Sequence, residues 1–286
     1  MKYYEVIFKI KAQEVNIQDA RDIMAALAGE AGFETFEDTL EGLKGYIQQC
    51  NYNEQVLKSL LDSFSLSAFS FSYSVEEAED KDWNEQWEQE GFEPIIVDQY
   101  IVIHDGRHLP ERQLPIAIEI DAHLAFGTGS HETTRMMISQ LNGLQLKGLR
   151  VLDCGTGTGI LAIAALKLGA SEAVGYDIDE WSADNARHNA VINMVDGRFK
   201  SLLGDTSILN EVEGQFDVVL ANINRNILLA DMPAFAEKMA PHSTLLLSGF
   251  YEQDIPMLEV KARTLNLTKK AQQHDGDWAC LRFEKN

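Results

Sequence analysis

The sequence predicts an α/β protein with a mostly parallel sheet and an antiparallel edge strand, preceded by a small α+β domain. From Leu149 onward, apolar strand patterns alternate with helical patterns, the order that builds a parallel sheet covered by helices. The chain ends in two strand patterns joined at Gly276 with no helix between them, which indicates an antiparallel edge. An acidic stretch separates this region from a shorter series of strands and helices.

The first part of the chain, residues 1–74, consists of six short patterns. They are YYEVIFKI, NIQDARDIMAALAGEAG, FETFEDTL, LKGYIQQC, NEQVLKSLLDSF and SAFSFSYSV. Their periodicities predict the order βαββαβ, which is that of a ferredoxin-like domain. This part contains no cluster of side chains suited to catalysis, so we expect the chemistry to reside in the rest of the chain.

The segment EEAEDKDWNEQWEQEGFE connects the two parts. It holds nine acidic residues and one lysine, and Trp83 and Trp87 lie four positions apart, on one face of a helix. A solvated charged linker would explain the acidic residues but not the two indoles. We therefore expect an acidic helical linker over residues 75–93 and a second domain over residues 94–286.

The charge of the chain is strongly negative, with a net value of −21. Residues 1–100 alone carry 21 acidic and 7 basic side chains. Such a surface repels the phosphates of nucleic acid and attracts a basic partner. From charge alone, the simpler interpretation is that acidity keeps the protein soluble.

The chain carries no signal for export, membrane insertion or disulfide formation. Its first residues lack the pattern of a signal peptide, and no apolar run is long enough to span a bilayer. Cys50, Cys154 and Cys280 are far apart and have no metal-ligand spacing. We expect a reduced cytoplasmic protein with no metal site and no membrane association.

The segment VLDCGTGTG marks the first strand-to-helix junction of the alternating region. Asp153, a candidate cofactor contact, ends the strand, and Gly155, Gly157 and Gly159 lead into the helical pattern ILAIAALKL. Glycine is used where a backbone bends sharply or closely approaches a ligand. The spacing differs from G-x-G-x-x-G, because Ile160 occupies the third glycine position, and from a P-loop. An ordinary turn is the alternative interpretation.

The next two strand ends each carry a carboxylate. Asp177 ends the strand in GYDID, where a carboxylate can accept hydrogen bonds from both ribose hydroxyls and disfavours a 2′-phosphate. A free ribose and no phosphate cradle fit S-adenosylmethionine, whose sulfonium amino acid would lie along Gly155 and Gly157. Asp205, which ends the third strand, is a candidate contact for the adenine amine.

The fourth strand ends in ANIN, where Asn222 and Asn224 are candidate catalytic residues. Methyltransferases that act on amines often carry Asn or Asp followed by two prolines and an aromatic residue at this point. Proline and aromatic residues are absent here, and strand-end asparagines are also common caps. In combination with the other two elements, the segment favours nitrogen as the methyl acceptor.

The segments AFGTGSHETT, VLDCGTGTGILAIAALKLGA, GYDID and ANI occur in this order after a small domain and a tryptophan-containing linker. In this arrangement the chain resembles the ribosomal protein L11 methyltransferase (PrmA) family over essentially its whole length. The most specific element is the F-G-T-G-x-H-x-T-T run before the glycine loop, which class I methyltransferases in general lack.

The resemblance implies a ferredoxin-like recognition domain, a flexible linker and a Rossmann-like class I methyltransferase domain. It implies transfer of methyl groups from S-adenosylmethionine to the N-terminal α-amine and lysine ε-amines of ribosomal protein L11, a basic protein partner. No direct contact with nucleic acid is expected. The family's cofactor contacts fall on Thr134, Gly155, Asp177 and Asn222, and the same cleft should be lined by Gly127, Thr128 and Gly129.

Two positions depart from the family pattern. Glu132 stands where proline commonly follows His131, and Asn224 replaces the leucine of the usual N-I-L run. Both positions are expected on the side of the site where the acceptor amine binds, so they bear on which amines are modified. His131 is a candidate base, but a histidine at a helix start is more often structural, and we identify no dedicated base.

Two other functions are compatible with parts of the pattern. A methyltransferase acting on a release-factor glutamine or a nucleic-acid base should carry an N-P-P-Y-like run and, for nucleic acid, a basic surface. A non-catalytic module that binds S-adenosylmethionine would explain the glycine loop and Asp177. It would leave the ANIN segment and the acidic N-terminal domain without a role.

Overall fold

The computed structural model describes residues 3–12, 16–33, 35–49, 51–63, 69–77, 91–121 and 127–286. The chain forms two compact units, residues 1–83 and 84–286, each with its own hydrophobic core. Most of the expected linker helix, including Trp83 and Trp87, lies outside the described residues. The same is true of residues 122–126, which precede the turn at Gly127.

The first unit is an antiparallel sheet with two helices. Its elements are β1 (Tyr3–Ala12), α1 (Ile17–Glu30), β2 (Thr35–Thr39), β3 (Gly42–Gln48), α2 (Glu54–Ser63) and β4 (Phe69–Glu77). The strands pair in the order β2-β3-β1-β4. Alternate residues of β1, Val6 and Phe8, are buried in one core with Met24 of α1 and Leu57 of α2, because successive strand side chains point to opposite faces. β4 continues to Glu77, into the stretch expected to be linker.

The second unit contains ten strands and five α-helices among its described residues. The strands are β5 (Ile95–Val97), β6 (Ile101–His104), β7 (Ile116–Glu119), β8 (Arg150–Cys154), β9 (Glu172–Asp177), β10 (Phe199–Leu203), β11 (Phe216–Asn222), β12 (Met239–Tyr251), β13 (Leu267–Asp275) and β14 (Trp278–Lys285). The helices are α3 (Glu132–Asn142), α4 (Ile160–Lys167), α5 (Glu180–Ile192), α6 (Arg225–Lys238) and α7 (Ile255–Thr264).

The main sheet of this unit has the strand order β10-β9-β8-β11-β12-β14-β13, and β5, β6 and β7 form a separate sheet. The strands from β10 to β12 are parallel, whereas β14 is antiparallel to both of its neighbours. The predicted α/β architecture with a mostly parallel sheet is thus confirmed. The order reverses beside β8, whose neighbours are β9 and β11, and ligands of such sheets bind at this switch point.

Helices cover both faces of the main sheet. Val151 of β8 belongs to one core with Ile163 of α4, while the adjacent Leu152 belongs to a second core with Phe235 of α6. Every residue of α4 from Ile160 to Leu166 is buried, which explains its uniformly apolar sequence. Within the described ranges, no helix combines the length and apolar character needed to cross a bilayer.

Candidate active site

A cavity of about 620 Å³ lies at the carboxyl ends of the central parallel strands. Four successive strand ends contribute to its wall, which places it at the switch point. These contributions are Gly155, Thr156 and Gly157 after β8, Asp177 and Ile178 after β9, Asp205 and Thr206 after β10, and Asn222 and Ile223 at the end of β11.

The glycine loop after β8 is tied to the end of β9. The backbone N–H groups of Gly155 and Thr156 both donate to the carbonyl of Tyr176, each at 2.9 Å. The three glycines of the loop have positive φ angles between 53° and 81°, which other residues rarely adopt. A Cβ on Gly155 would lie 2.4 Å from Cγ2 of Ile223. Glycine therefore lets the loop turn and lets β11 approach it.

Asp177 faces the cavity at the end of β9. Its Oδ2 accepts a hydrogen bond from the Gly157 N–H at 2.9 Å, and its Oδ1 accepts one from the Asp179 N–H at 3.1 Å. An ionised carboxylate has about four lone-pair sites, so each oxygen can accept one further hydrogen bond. This arrangement fits a pair of ribose hydroxyls.

Asn222 and Thr134 meet at the other side of the cavity. Asn222 Nδ2 lies 3.4 Å from Oγ1 of Thr134, a buried residue in the first turn of α3. Asn222 Oδ1 is buried and has no hydrogen-bond partner in the described part of the chain. Since an unpaired buried acceptor costs about 1–3 kcal/mol, this oxygen suits a ligand that donates an N–H.

Of the described residues between 127 and 131, which precede α3, Gly127 lines the cavity wall. Its carbonyl accepts a hydrogen bond from Thr158 Oγ1 at 2.6 Å. Thr128 is buried, and its hydroxyl is 2.9 Å from that of Ser130. A Cβ on Gly129 would lie 2.8 Å from Ile103. Thr128 and Gly129 therefore pack behind the wall they were expected to line.

Of the two remaining candidate residues, Asp205 lines the cavity, whereas Asn224 does not. The side chain of Asn224 accepts a hydrogen bond from the Ile227 N–H at 3.2 Å and caps α6, and Asn224 is not among the residues that line the cavity. Asp205 is exposed at the cavity rim. Hydrogen bonds from Ser207 hold the pKa of Asp205 below its usual value, so it is an ionised acceptor.

Asp153 supports the glycine loop from beneath and does not border the cavity. Its Oδ2 accepts hydrogen bonds from Thr156 Oγ1 at 2.8 Å and from the Ala162 N–H at 3.2 Å. Its Oδ1 is buried without a partner among the residues that the structure describes. Burial raises the pKa of Asp153 to about 7, although the two hydrogen bonds oppose the shift.

Several cavity residues could not be identified from the sequence. Apolar contributions come from Ile178 and Ile227, and Asp231 of α6 lines the cavity and accepts a hydrogen bond from Thr206. Ile178 could have been identified because it directly follows the polar residue that ends a strand, in the D-I-D run at the end of β9. Asp231 gave no signal, because its contact depends on the packing of α6.

The cavity accommodates a nucleoside carrying an amino-acid chain better than a dinucleotide. Asp177 has unused acceptor sites that fit ribose hydroxyls, the glycine loop has no phosphate-binding signature, and Asn222 lines the same cavity. Within the described residues, no group of three or more His, Cys, Asp or Glu could hold a metal ion. The fold and the site define an S-adenosylmethionine-dependent methyltransferase, as the sequence predicted.

Comparison with known proteins identifies the family. The family described as Ribosomal protein L11 methyltransferase (PrmA) matches residues 2–286, and the chain belongs to it. Proteins named Ribosomal protein L11 methyltransferase from Bacteroides fragilis and Phocaeicola vulgatus are 44% and 41% identical over 283 residues, or 99% of each chain. A solved ribosomal protein L11 methylase from Lactobacillus delbrueckii subsp. bulgaricus is 30% identical, with a TM-score of 0.60 over 68% of this chain and 100% of that one.

Replacing Asp177 by Ala is expected to weaken binding of S-adenosylmethionine. The variant removes a charged acceptor from the ribose position, a loss of roughly 1.5–3 kcal/mol, or about 10- to 150-fold in Kd. Titration calorimetry measures the change. Glu180→Ala, which removes an exposed carboxylate in the first turn of α5, is the control. Equal affinity in the two variants would rule out Asp177 as the ribose contact.

The buried carboxyl of Asp153 predicts a pH-dependent stability. Its folded-state pKa of about 7 exceeds the unfolded value of about 3.9. Its contribution to stability is therefore complete below about pH 4 and is lost as the pH rises through 7. Asn resembles the protonated carboxyl and does not titrate. Between pH 5 and pH 8 the free energy of unfolding of the wild type should therefore fall by roughly 2–3 kcal/mol relative to that of Asp153→Asn.

Urea denaturation at the two pH values provides the measurement, with Glu180→Gln as the exposed-carboxylate control. A difference between Asp153→Asn and wild type that stays constant with pH would show that Asp153 is ionised in the folded protein throughout this range.

Proposed function

We propose that the protein transfers methyl groups from S-adenosylmethionine to the N-terminal α-amine and lysine ε-amines of ribosomal protein L11. The observation that carries this proposal is the buried, unpartnered Oδ1 of Asn222 at the cavity. The names of the relatives support the choice of acceptor protein. An amine is the class of acceptor that donates an N–H to this oxygen and keeps a lone pair for reaction.

The main task of the chain's residues is to position a neutral amine. S-adenosylmethionine supplies a methyl group on a carbon that the adjacent sulfonium already activates. Asn222 Oδ1 and the neighbouring carbonyl of Ile223 accept the amine's N–H groups and leave its lone pair directed at that carbon. Thr134 holds the Asn222 amide through the 3.4 Å contact. Such alignment accounts for several kcal/mol of barrier reduction in general.

The apolar wall of the cavity assists by favouring the neutral form of the amine. Ile160, Leu161 and Ile223 line it together with the strand-end residues, and desolvation lowers the pKa of an amine. This matters more for lysine, with a pKa of about 10.4, than for an α-amine of about 8. The wall also excludes water from the reacting atoms.

His131 is better suited to a structural role than to that of a base. It is the N-cap of α3, and its Nδ1 accepts a hydrogen bond from the Thr133 N–H at 3.3 Å and lies 2.8 Å from the Thr133 hydroxyl. Its ring packs edge-on against Trp278, with centroids 4.8 Å apart. We assign it to orienting α3, the helix that carries Thr134.

We infer that the first unit is a ferredoxin-like domain that recognises the acceptor protein. Its order of elements and the strand order β2-β3-β1-β4 support this assignment. Its sheet carries Glu5 and Glu37 beside Lys44 and Tyr46, and acidic residues outnumber basic ones in this part of the chain. Opposite charge would orient a basic ribosomal protein and speed its encounter.

Asn222→Ala is expected to lower kcat by on the order of 100-fold, because misplacement of the acceptor by about 1 Å has this effect. The Tm should change little, since the Asn222 side chain makes one long hydrogen bond within the described residues. Asn224→Ala is the comparison: it should cost about 1 kcal/mol of stability through loss of the α6 cap with a much smaller fall in kcat. Radiolabelled methyl transfer at saturating cofactor gives kcat. If the Asn222 variant keeps the wild-type kcat, the amine is held elsewhere.

A fragment beginning at Gly91 tests the division of labour. Both cores of the second unit and all the described residues that line the cavity lie within residues 91–286, so the fragment should fold and bind S-adenosylmethionine like the full chain. It should lose most methylation of ribosomal protein L11. Calorimetry and mass spectrometry of the acceptor measure the two properties. Full methylation at every site by the fragment would contradict a recognition role for the first unit.

A further inference from the structure

A β-bulge interrupts β12 close to the cavity. Leu247 and Phe250 are three residues apart, but their partners on β14 are only two apart. Ser248 and Gly249 therefore oppose a single β14 residue. The buried hydroxyl of Ser248 donates to the Ala279 carbonyl at 2.8 Å, which ties the bulge to β14. Bulges occur next to active sites, where they redirect a strand.

The bulge places Gly249 against the end of β11. Asn222 is the last β11 residue that pairs with β12, and its partner is Ser248. The following residues, Ile223 and Gly249, then come into close contact. A Cβ on Gly249 would lie 2.5 Å from O, 2.8 Å from C and 2.9 Å from N of Ile223. These are backbone atoms, so no change of rotamer could relieve the overlap.

Ile223 is confined from its other side by the glycine loop. Its Cγ2 would be 2.4 Å from a Cβ on Gly155. Two glycines from different strand ends thus lie close to Ile223, and a side chain at either position would overlap it. Gly249 itself is not among the residues that line the cavity. Any influence it has on the reaction passes through Ile223 and the adjoining Asn222.

We propose that Gly249 is a positioning residue for methyl transfer. The bulge in β12 brings a residue without a side chain against the Ile223 backbone and so sets where the Ile223 carbonyl and the Asn222 amide meet the acceptor amine. This inference rests on the acceptor role given above to Asn222 and Ile223. A methyl group at Gly249 displaces that backbone, and a displacement of about 1 Å costs on the order of 100-fold in rate.

The test compares Gly249→Ala with a matched variant, Gly148→Ala. The two glycines have similar φ angles, 90° and 82°, so both variants carry the strain of alanine in the left-handed region. A Cβ on Gly148 would meet nothing within 4 Å, and Gly148 precedes β8 at the end of the sheet away from the cavity. The comparison therefore isolates the overlap with Ile223 from the backbone strain.

Each full-length variant is incubated with total ribosomal proteins from a strain lacking the methyltransferase, and mass spectrometry identifies the methylated protein and its methyl count. We expect Gly249→Ala to lower kcat roughly 10- to 100-fold, with fewer methyl groups on each amine. Its Kd for S-adenosylmethionine should stay close to that of Gly148→Ala, which keeps the wild-type kcat, while its Tm should fall further because the overlap with Ile223 adds to the backbone strain.

Equal kcat values in the two glycine variants would overturn the proposal. A loss of cofactor affinity as large as the loss of kcat would also overturn it, because Gly249 would then shape the cofactor site. If Gly249→Ala does not fold, Ser248→Ala replaces it: this variant releases the bulge from β14 without adding atoms and should lower kcat several-fold, and an unchanged kcat refutes the proposal.

The substrate assignment is tested separately by the wild-type reaction. If mass spectrometry finds the methyl groups on a basic protein other than ribosomal protein L11, the assignment of the acceptor fails. The kcat values of Gly249→Ala and Gly148→Ala are then compared with that protein as the methyl acceptor.

Discussion

The carbonyl of Tyr176 is the point on which the site depends. It accepts the N–H groups of both Gly155 and Thr156 and so binds the loop after β8 to the end of β9. With the loop held there, Gly157 donates to Asp177, and Asp153 supports the turn from beneath. One backbone acceptor thereby fixes the glycine loop and the proposed ribose contact relative to each other. This requires positive φ at the loop glycines, where a side chain would be strained.

The two unpartnered buried oxygens of this region have opposite consequences. Asn222 lines the cavity, so in the proposed acceptor role its Oδ1 would recover part of a desolvation cost of about 1–3 kcal/mol when an amine binds. Asp153 Oδ1 belongs to a residue that does not border the cavity, and its burial raises the pKa of Asp153 to about 7, so protonation of the carboxyl lowers the cost of burying its charge. The first oxygen can serve acceptor binding, whereas the second adjusts the stability of the glycine loop.

The sequence predicted the parts of the molecule that depend on short-range patterns. Alternating strands and helices, the glycine loop and the carboxylate of Asp177 are encoded within a few residues each. The contact between Asn222 and Thr134 joins positions 88 residues apart; the family resemblance placed both residues at the cofactor, but no sequence pattern predicted that they meet. Asn224 was expected at the acceptor, but its side chain caps α6, and a strand-end asparagine has the same local sequence in either role. Thr128 and Gly129 were expected to line the cavity beside Gly127, but they do not. Adjacency in sequence does not decide which residue faces a cavity.

Glycines illustrate why the remaining detail needs three dimensions. Gly148, Gly155 and Gly249 all have positive φ, and each stands near a strand end. A Cβ on Gly148 would meet nothing within 4 Å, whereas a Cβ on Gly155 would overlap the Ile223 side chain and one on Gly249 its backbone. Gly148 allows a turn, whereas Gly155 and Gly249 allow the ends of separate strands to pack closely around Ile223. Close packing of strand ends therefore sets the position of the Ile223 backbone. Because Asn222 directly precedes Ile223 in the chain, the same packing positions Asn222 at the proposed acceptor site.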